Sequence, residues 1–192
     1  ELLVLEVRTD GGCPHVDERL RRAVPGGQDE GHRDSWESIA PGQGGSPCTG
    51  RYPNFGKFLA CIGRFHPFDH QKVTSEFFSI NRRAFCFNEA GTGKTSSVLW
   101  ASDYLMNEGK IKRVLVICPL SIMTSAWKND IYNTCIHRVP GVAYGSAEDR
   151  RAIINNTQYE FVIINYDGVN IVRDDIANAN FDLIVVDEAN AY

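Results

Sequence analysis

The 192-residue sequence has no long apolar stretch, no CxxC pair and no strong excess of one charge, and each absence removes a class of protein. No run approaches the roughly 18 apolar residues of a membrane-spanning helix. The opening Glu1-Leu2-Leu3-Val4-Leu5-Glu6-Val7 has neither the basic flank nor the small-residue cleavage site of a secretory signal. The reading is of a soluble, cytoplasmic chain that does not enter a membrane. With 20 Lys and Arg against 24 Asp and Glu, and a net charge of -4, the chain is not a basic protein that coats nucleic acid, although a local patch can still hold a phosphate backbone. The six cysteines (Cys13, Cys48, Cys61, Cys86, Cys118 and Cys135) read as reduced thiols, with Cys86 and Cys118 inside apolar runs. Neither Cys13-Pro14-His15 nor His66 with His70 makes a convincing set of zinc ligands.

What is present is unevenly spread. Nine of the 17 glycines and four of the eight prolines lie between residues 10 and 50, a density typical of segments that do not pack a core. Residues 61–192 have the composition of an ordinary globular protein. The chain therefore divides into a Gly/Pro-rich segment, residues 1–60, read as poorly ordered or non-native, and a folded part, residues 61–192.

In the folded part, short apolar runs alternate with longer amphipathic stretches. Ala84–Phe87, Val114–Cys118, Phe161–Ile164 and Leu183–Val186 are continuous and rich in β-branched residues, as expected of strands buried on both faces of a parallel sheet. Helices are predicted over His70–Ile80, Thr95–Glu108 (closed by Gly109), Ser121–Asn133, Ala147–Asn155 and Val169–Asn178. The alternation predicts a doubly wound α/β domain that binds its ligand at the carboxyl ends of the strands.

Asn88-Glu89-Ala90-Gly91-Thr92-Gly93-Lys94-Thr95 stands directly between the first of these strands and a helix. Gly91 and Gly93 let the backbone curl so that its N–H groups face a phosphate. The helix start adds a favourable dipole, Lys94 reaches the β/γ-phosphates, and the Thr95 hydroxyl can ligate Mg2+. Asn88 replaces the first glycine of the strict P-loop pattern but leaves the phosphate-cradling half complete. The last strand ends in Asp187-Glu188. An Asp in that place can hold Mg2+, and the adjacent Glu can orient or deprotonate an attacking water. Ahead of the loop, Phe68 and Gln71 are candidates for stacking on adenine and reading its edge, against an ordinary helix start with Asp69 as cap. Trp127 is read first as core and second as a base-stacking residue. Arg82-Arg83 and Lys110–Arg113 are read as solvated charge at the amino-terminal edge of the sheet, with a backbone-binding patch as the alternative. Tyr52–Leu59 is a possible docking segment.

Taken together, these motifs resemble a known family. NEAGTGKT resembles motif I of superfamily-two helicases and LIVVDEAN their motif II. Val116–Ser121 followed by Trp127 resembles the motif Ia region of SWI/SNF-type helicase-like ATPases, Ile163–Asp167 the segment after the next strand, and Phe68–Gln71 the Gln-containing element before motif I. The ensemble is most similar to compact SWI/SNF-like helicases of bacteriophages. The resemblance implies the first RecA-like lobe of a two-lobe ATP-driven motor on nucleic acid, with DNA favoured over RNA. It implies that Gln71 reads adenine, that Gly91, Thr92, Gly93, Lys94 and Thr95 hold the phosphates of ATP, and that Thr95 and Asp187 hold Mg2+. Lys94, Asp187 and Glu188 would be catalytic, and Pro119–Ser121 and Tyr166–Gly168 would face the nucleic-acid strand. Asn190 stands where many relatives have His or Asp, so the link between motif II and the nucleic-acid side is expected to differ. The alternatives are an RNA helicase or restriction-enzyme motor of the same superfamily, or a nucleotide-binding interaction module without hydrolysis. With neither an opening Met nor the later motifs and arginine fingers, the sequence reads as an amino-terminal fragment that binds ATP better than it hydrolyses it.

Overall fold

A computed structural model of the chain describes residues 3–8 and 65–189. Cys13, Cys48, Cys61, the Tyr52–Leu59 segment and Asn190 lie outside the described residues. The order of elements is β1 (Leu3–Val7), α1 (Asp69–Ile80), β2 (Arg83–Cys86), α2 (Lys94–Asn107), β3 (Val114–Cys118), a 3-10 turn (Leu120–Ile122), a π-helical turn (Met123–Lys128), α3 (Asn129–Thr134), β4 (Pro140–Ala143), α4 (Ala147–Asn155), β5 (Phe161–Asn165), α5 (Tyr166–Ile171), α6 (Arg173–Asn178) and β6 (Leu183–Val186).

The six strands form one sheet in the order β2-β1-β6-β3-β5-β4. β6, β3, β5 and β4 run parallel, whereas β1 is antiparallel to both β2 and β6. Every residue of β5 and four of the five in β3 are buried, as continuous apolar runs between two helix layers require. On one face Phe78, Val98, Trp100, Tyr104, Trp127 and Ile131 pack with Val114, Val116 and Ile163. On the other, Ile154, Val172, Ile176 and Phe181 pack with Leu115, Val162 and Ile164. This is the helix-flanked α/β sheet expected from the sequence.

Several elements differ from expectation. β2 alternates exposed and buried residues, with Phe85 exposed, because among the described residues it is an edge strand paired with β1. The apolar run at the start of the chain forms β1, with Leu3 and Leu5 buried in the middle of the sheet. β4 was not predicted because Pro140-Gly141-Val142-Ala143 has little β-propensity. It sits at the opposite edge, where only one neighbour has to be paired. The predicted 121–133 helix breaks into 3-10, π and α pieces, and the 169–178 helix into α5 and α6. Asp69 does not cap α1. The Gln71 side chain accepts from the Phe68 N–H at 3.0 Å, while Asp69 pairs with Lys72 at 2.8 Å.

Local chemistry explains the best-predicted ends. Gly109 (φ 67) closes α2: its N–H donates to Met106 O at 3.0 Å and the Lys110 N–H to Leu105 O at 2.9 Å, the paired bonds of a Schellman cap. α4 opens on a capping box in which the Ser146 hydroxyl accepts from the Asp149 N–H and the Asp149 carboxylate accepts from the Ser146 N–H. The basic run 110–113 divides. Lys110 and Lys112 are exposed, but Arg113 is buried, and its guanidinium donates to the carbonyls of Ala179 (2.7 Å), Ile154 (2.8 Å) and Tyr159 (3.2 Å). It ties the last turn of α4, the segment before β5 and the end of α6 together at the amino-terminal edge instead of facing solvent.

Candidate functional site

The sheet register brings the two halves of the candidate site to one edge. Leu3 of β1 pairs with Cys86 of β2, and Val4 with Val186 of β6, so β2 and β6 run parallel to each other and end within one residue of the same level. The loop after β2 and the Asp187-Glu188 turn after β6 therefore leave the same edge, from strands that two inter-strand spacings set about 10 Å apart. β3 and β5 end on that edge as well, with Cys118 opposite Asn165. The exposed Leu120 and Ser121 and the exposed Asp167 therefore lie on the same sheet edge as the Asp187 turn.

The Gly-rich loop is built as the sequence predicts. Gly91 and Gly93 have φ of 77° and 79°, in the left-handed region that favours glycine. At Gly93 a Cβ would also collide with the Gln71 amide nitrogen. Lys94 opens α2 and is buried, with its ammonium donating to the carbonyls of Asn88 (2.8 Å) and Glu89 (3.0 Å). Thr95 follows in the first turn, half-buried. Gln71 reaches the loop from α1, its amide donating to Thr92 O at 3.1 Å, and a His70 ring nitrogen lies 3.1 Å from the same carbonyl. Phe68 is exposed and stacks on His70, with ring centroids 5.9 Å apart. Gln71, Gly91, Thr92, Gly93, Lys94 and Thr95 are thus one cluster.

The acidic half is held just as closely. Asp187 is buried. Its Oδ2 accepts from the Trp127 indole N–H at 2.9 Å and its Oδ1 from the Glu188 N–H at 3.0 Å. Glu188 has φ 55°, an uncommon conformation for a non-glycine residue and one that clusters at functional sites. The Tyr166 hydroxyl donates to Asp187 O at 2.6 Å. Trp127 is core, as first expected, and the resemblance put Tyr166 in a turn facing the nucleic-acid strand; neither expectation included a bond to Asp187. The available clue was that a buried indole N–H requires an acceptor. Sequence reasoning also missed Arg150, which is buried and donates to Ala143 O (2.8 Å) and Asn165 Oδ1 (2.9 Å), fixing the ends of β4 and β5.

Among the described residues, no three His, Cys, Asp or Glu side chains converge to hold a metal. Thr95, in the first turn of α2, carries a hydroxyl and Asp187, after β6, a carboxylate, both hard oxygen donors. That set suits Mg2+ carried in by a phosphate ligand, because this ion keeps water and phosphate oxygens in its shell and takes few from protein.

The same acidic turn affects Cys118. Burial, and then the charges of Asp187 and Glu188, push its thiol up to about 12 from an ordinary value of 9.0. Burial also raises Cys86 and Cys135, and all three are free and buried, as the sequence suggested for the first two. A thiol raised on folding keeps a proton that the unfolded chain releases, so its contribution to stability falls as pH rises from 9.0 towards 12. Iodoacetamide at pH 8 is expected to leave these three cysteines unmodified in the folded chain and to modify them in denaturant. Peptide mass mapping checks this, and native labelling of Cys118 at the denatured rate would contradict a closed β3 end.

A strand, a Gly-rich turn and a helix opening on Lys-Thr, set in a helix-flanked sheet opposite an Asp-Glu turn, define a P-loop type of α/β domain. A profile of the SNF2-related domain matches residues 74–191, and the chain belongs to that family. Among solved structures it is similar to the SWI2/SNF2 ATPase core of Sulfolobus solfataricus in complex with dsDNA. The two are 20% identical with a TM-score of 0.45, and the match covers 55% of this chain and 22% of the other. The chain thus spans about a fifth of the length of that ATPase core. No curated protein matches it. No helix among the described residues is long and apolar enough to cross a membrane.

Proposed function

We propose that this chain is the ATP-binding part of a DNA translocase or helicase of SWI/SNF type, in which ATP hydrolysis drives movement on nucleic acid. The observation that carries the reading is the register of β1 with β2 and β6, which sets the Gly-rich loop and the Asp187-Glu188 turn at one edge of the sheet. Gln71 and Phe68 receive the adenine, the loop N–H groups from Gly91 to Thr95 and the Lys94 ammonium receive the phosphates, and Thr95 and Asp187 receive Mg2+. Bound there, Mg2+ supplies charge neutralisation of the phosphate oxygens. Glu188 orients the attacking water and accepts its proton. In this reading Lys94 turns from the Asn88 and Glu89 carbonyls to the phosphates when nucleotide enters.

Residues 61–192, together with the β1 strand, belong to the first of two RecA-like lobes, and the second lobe and a DNA backbone are its partners. The exposed ends of β3 and β5, at Leu120-Ser121 and Tyr166-Asp167, form the side that meets the strand, and contacts there position phosphates without reading sequence. The family membership supports the motor assignment. The resemblance of the motifs supports a motor of bacteriophage type, which would act in the cytoplasm of the bacterial host.

Titration with a fluorescent, slowly hydrolysed ATP analogue tests the nucleotide site. Binding is expected to be tighter with Mg2+ than with EDTA and to prefer adenine over guanine, and Gln71→Ala is expected to erase the base preference. Equal binding with and without Mg2+ would argue for a module that does not use the metal. Addition of duplex DNA or RNA, read as a change in analogue affinity, distinguishes the DNA motor from the RNA alternative.

A further inference from the structure

The segment after β3 is wound in an unusual way. Met123, Trp127, Ile131 and Cys135 are all buried and recur every four residues. On a regular α-helix a four-residue step overshoots a full turn by about 40°, so such a row would drift off the buried face. The π turn over Met123–Lys128 has a wider turn that offsets the drift before α3 begins. π turns of this kind gather at functional sites. Here the result is that Trp127, fully buried, delivers its indole N–H to Asp187 Oδ2 at 2.9 Å.

Asp187 is held on every side. Its other carboxylate oxygen accepts from the Glu188 N–H, its carbonyl from the Tyr166 hydroxyl, and its own N–H donates to Ile117 O at 2.9 Å. Two of these partners, Trp127 and Tyr166, come from the segments after β3 and β5, on the side proposed to meet DNA. A buried indole N–H needs some acceptor, and here that acceptor is the carboxylate of this turn and not a backbone carbonyl. A carboxylate oxygen has two lone pairs, so the indole bond leaves capacity for a metal or its water.

We propose that Trp127 is a positioning residue for Asp187. Its indole fixes the carboxylate in one rotamer so that the group is already ordered when Mg2+ arrives, and Tyr166 does the same for the backbone of the turn. The inference rests on the nucleotide-site reading above. Hydrogen-bond partners of metal ligands typically change metal affinity by about 10- to 100-fold.

The test uses the 192-residue chain and the fluorescent ATP analogue. Trp127→Phe keeps the ring and removes the N–H. It is expected to raise the Mg2+ concentration at half-saturation about 10-fold, while the metal-free affinity for the analogue and the thermal melt stay close to the parent's. Tyr166→Phe is expected to shift the Mg2+ midpoint in the same direction by a smaller factor. An unshifted Mg2+ midpoint in Trp127→Phe would overturn the proposal. If that variant fails to fold, the indole N–H resonance of Trp127 in the parent decides, assigned by elimination with Trp36→Phe and Trp100→Phe. It is expected to move when Mg2+ is added to the analogue-bound chain and not in Asp187→Asn, and a resonance that ignores Mg2+ in the parent would refute the role. Lys94→Ala separates the two levels. If it leaves analogue binding intact, the nucleotide-site reading fails. If it abolishes binding while Trp127→Phe leaves the Mg2+ dependence alone, only the positioning role fails.

Discussion

Lys94→Ala is expected to weaken binding of an Mg2+-ATP analogue at least about 100-fold. The ammonium already rests on two backbone carbonyls, those of Asn88 and Glu89, in a buried setting. Exchange of these neutral acceptors for phosphate oxygens turns ordinary hydrogen bonds into charge-assisted ones. Loss of a charged partner to a bound anion costs about 3 kcal/mol, and 1.4 kcal/mol is a factor of ten. The stability effect is expected to be small, because loss of the two carbonyl contacts is offset by removal of a buried charge. Calorimetric titration with the analogue, alongside a thermal melt, checks both halves. Binding within threefold of the parent would mean that the loop holds no phosphate.

The second large effect is expected in the scaffold behind the loop. Asp103, on the same helix as Lys94, is completely buried. Its Oδ1 accepts from Arg138 Nε at 2.6 Å and lies 2.8 Å from His137 Nε2, while Oδ2 has no hydrogen-bond partner among the described residues. Arg138 also bridges to Glu160 at 2.7 Å and Asn107 at 3.2 Å, which joins α2 to the ends of α3 and β5. Arg138→Met strips the main counter-charge from a carboxylate that water does not reach. Breaking one partner of a buried pair in this way costs about 3–5 kcal/mol, enough to threaten a domain of ordinary stability. Urea unfolding measures it. The double variant Arg138→Met with Asp103→Leu is expected to recover most of the loss, because no buried charge is then left without a partner. A single-variant loss below about 1 kcal/mol would show that the cluster is solvated and contributes as little as a surface ion pair.

Both expectations depend on features that the sequence discloses to different degrees. The Gly-rich loop was legible because its chemistry is local. Glycines at positive φ, a lysine and a hydroxyl residue at a helix start sit within eight consecutive residues, and strand and helix flank them. The β3, β5 and β6 strands were legible because burial on both faces demands unbroken apolar runs, and Gly109 was legible as a helix stop because only its conformation closes the cap. The Asp103 cluster was not, since its members stand 34 and 35 positions apart and each looks like an ordinary surface charge. Arg113 and Arg150 were hidden because they bond mainly to backbone carbonyls, which leave no mark on a sequence.

The amino-acid sequence by itself determined the α/β alternation, the membership of the loop and the identity of the two carboxylates, because each follows from residue type, period or adjacency. Tertiary structure decided how the halves of the site are spaced and what holds them. β1 enters between β2 and β6 only because Leu3 and Leu5 have a core to fill there, and a short apolar run carries no information about which strands it will separate. Likewise Trp127 and Asp187, 60 residues apart, meet only when a π turn and a strand end are packed on the same face. Pairing at that range is set by the sum of the packing, and no single segment contains it.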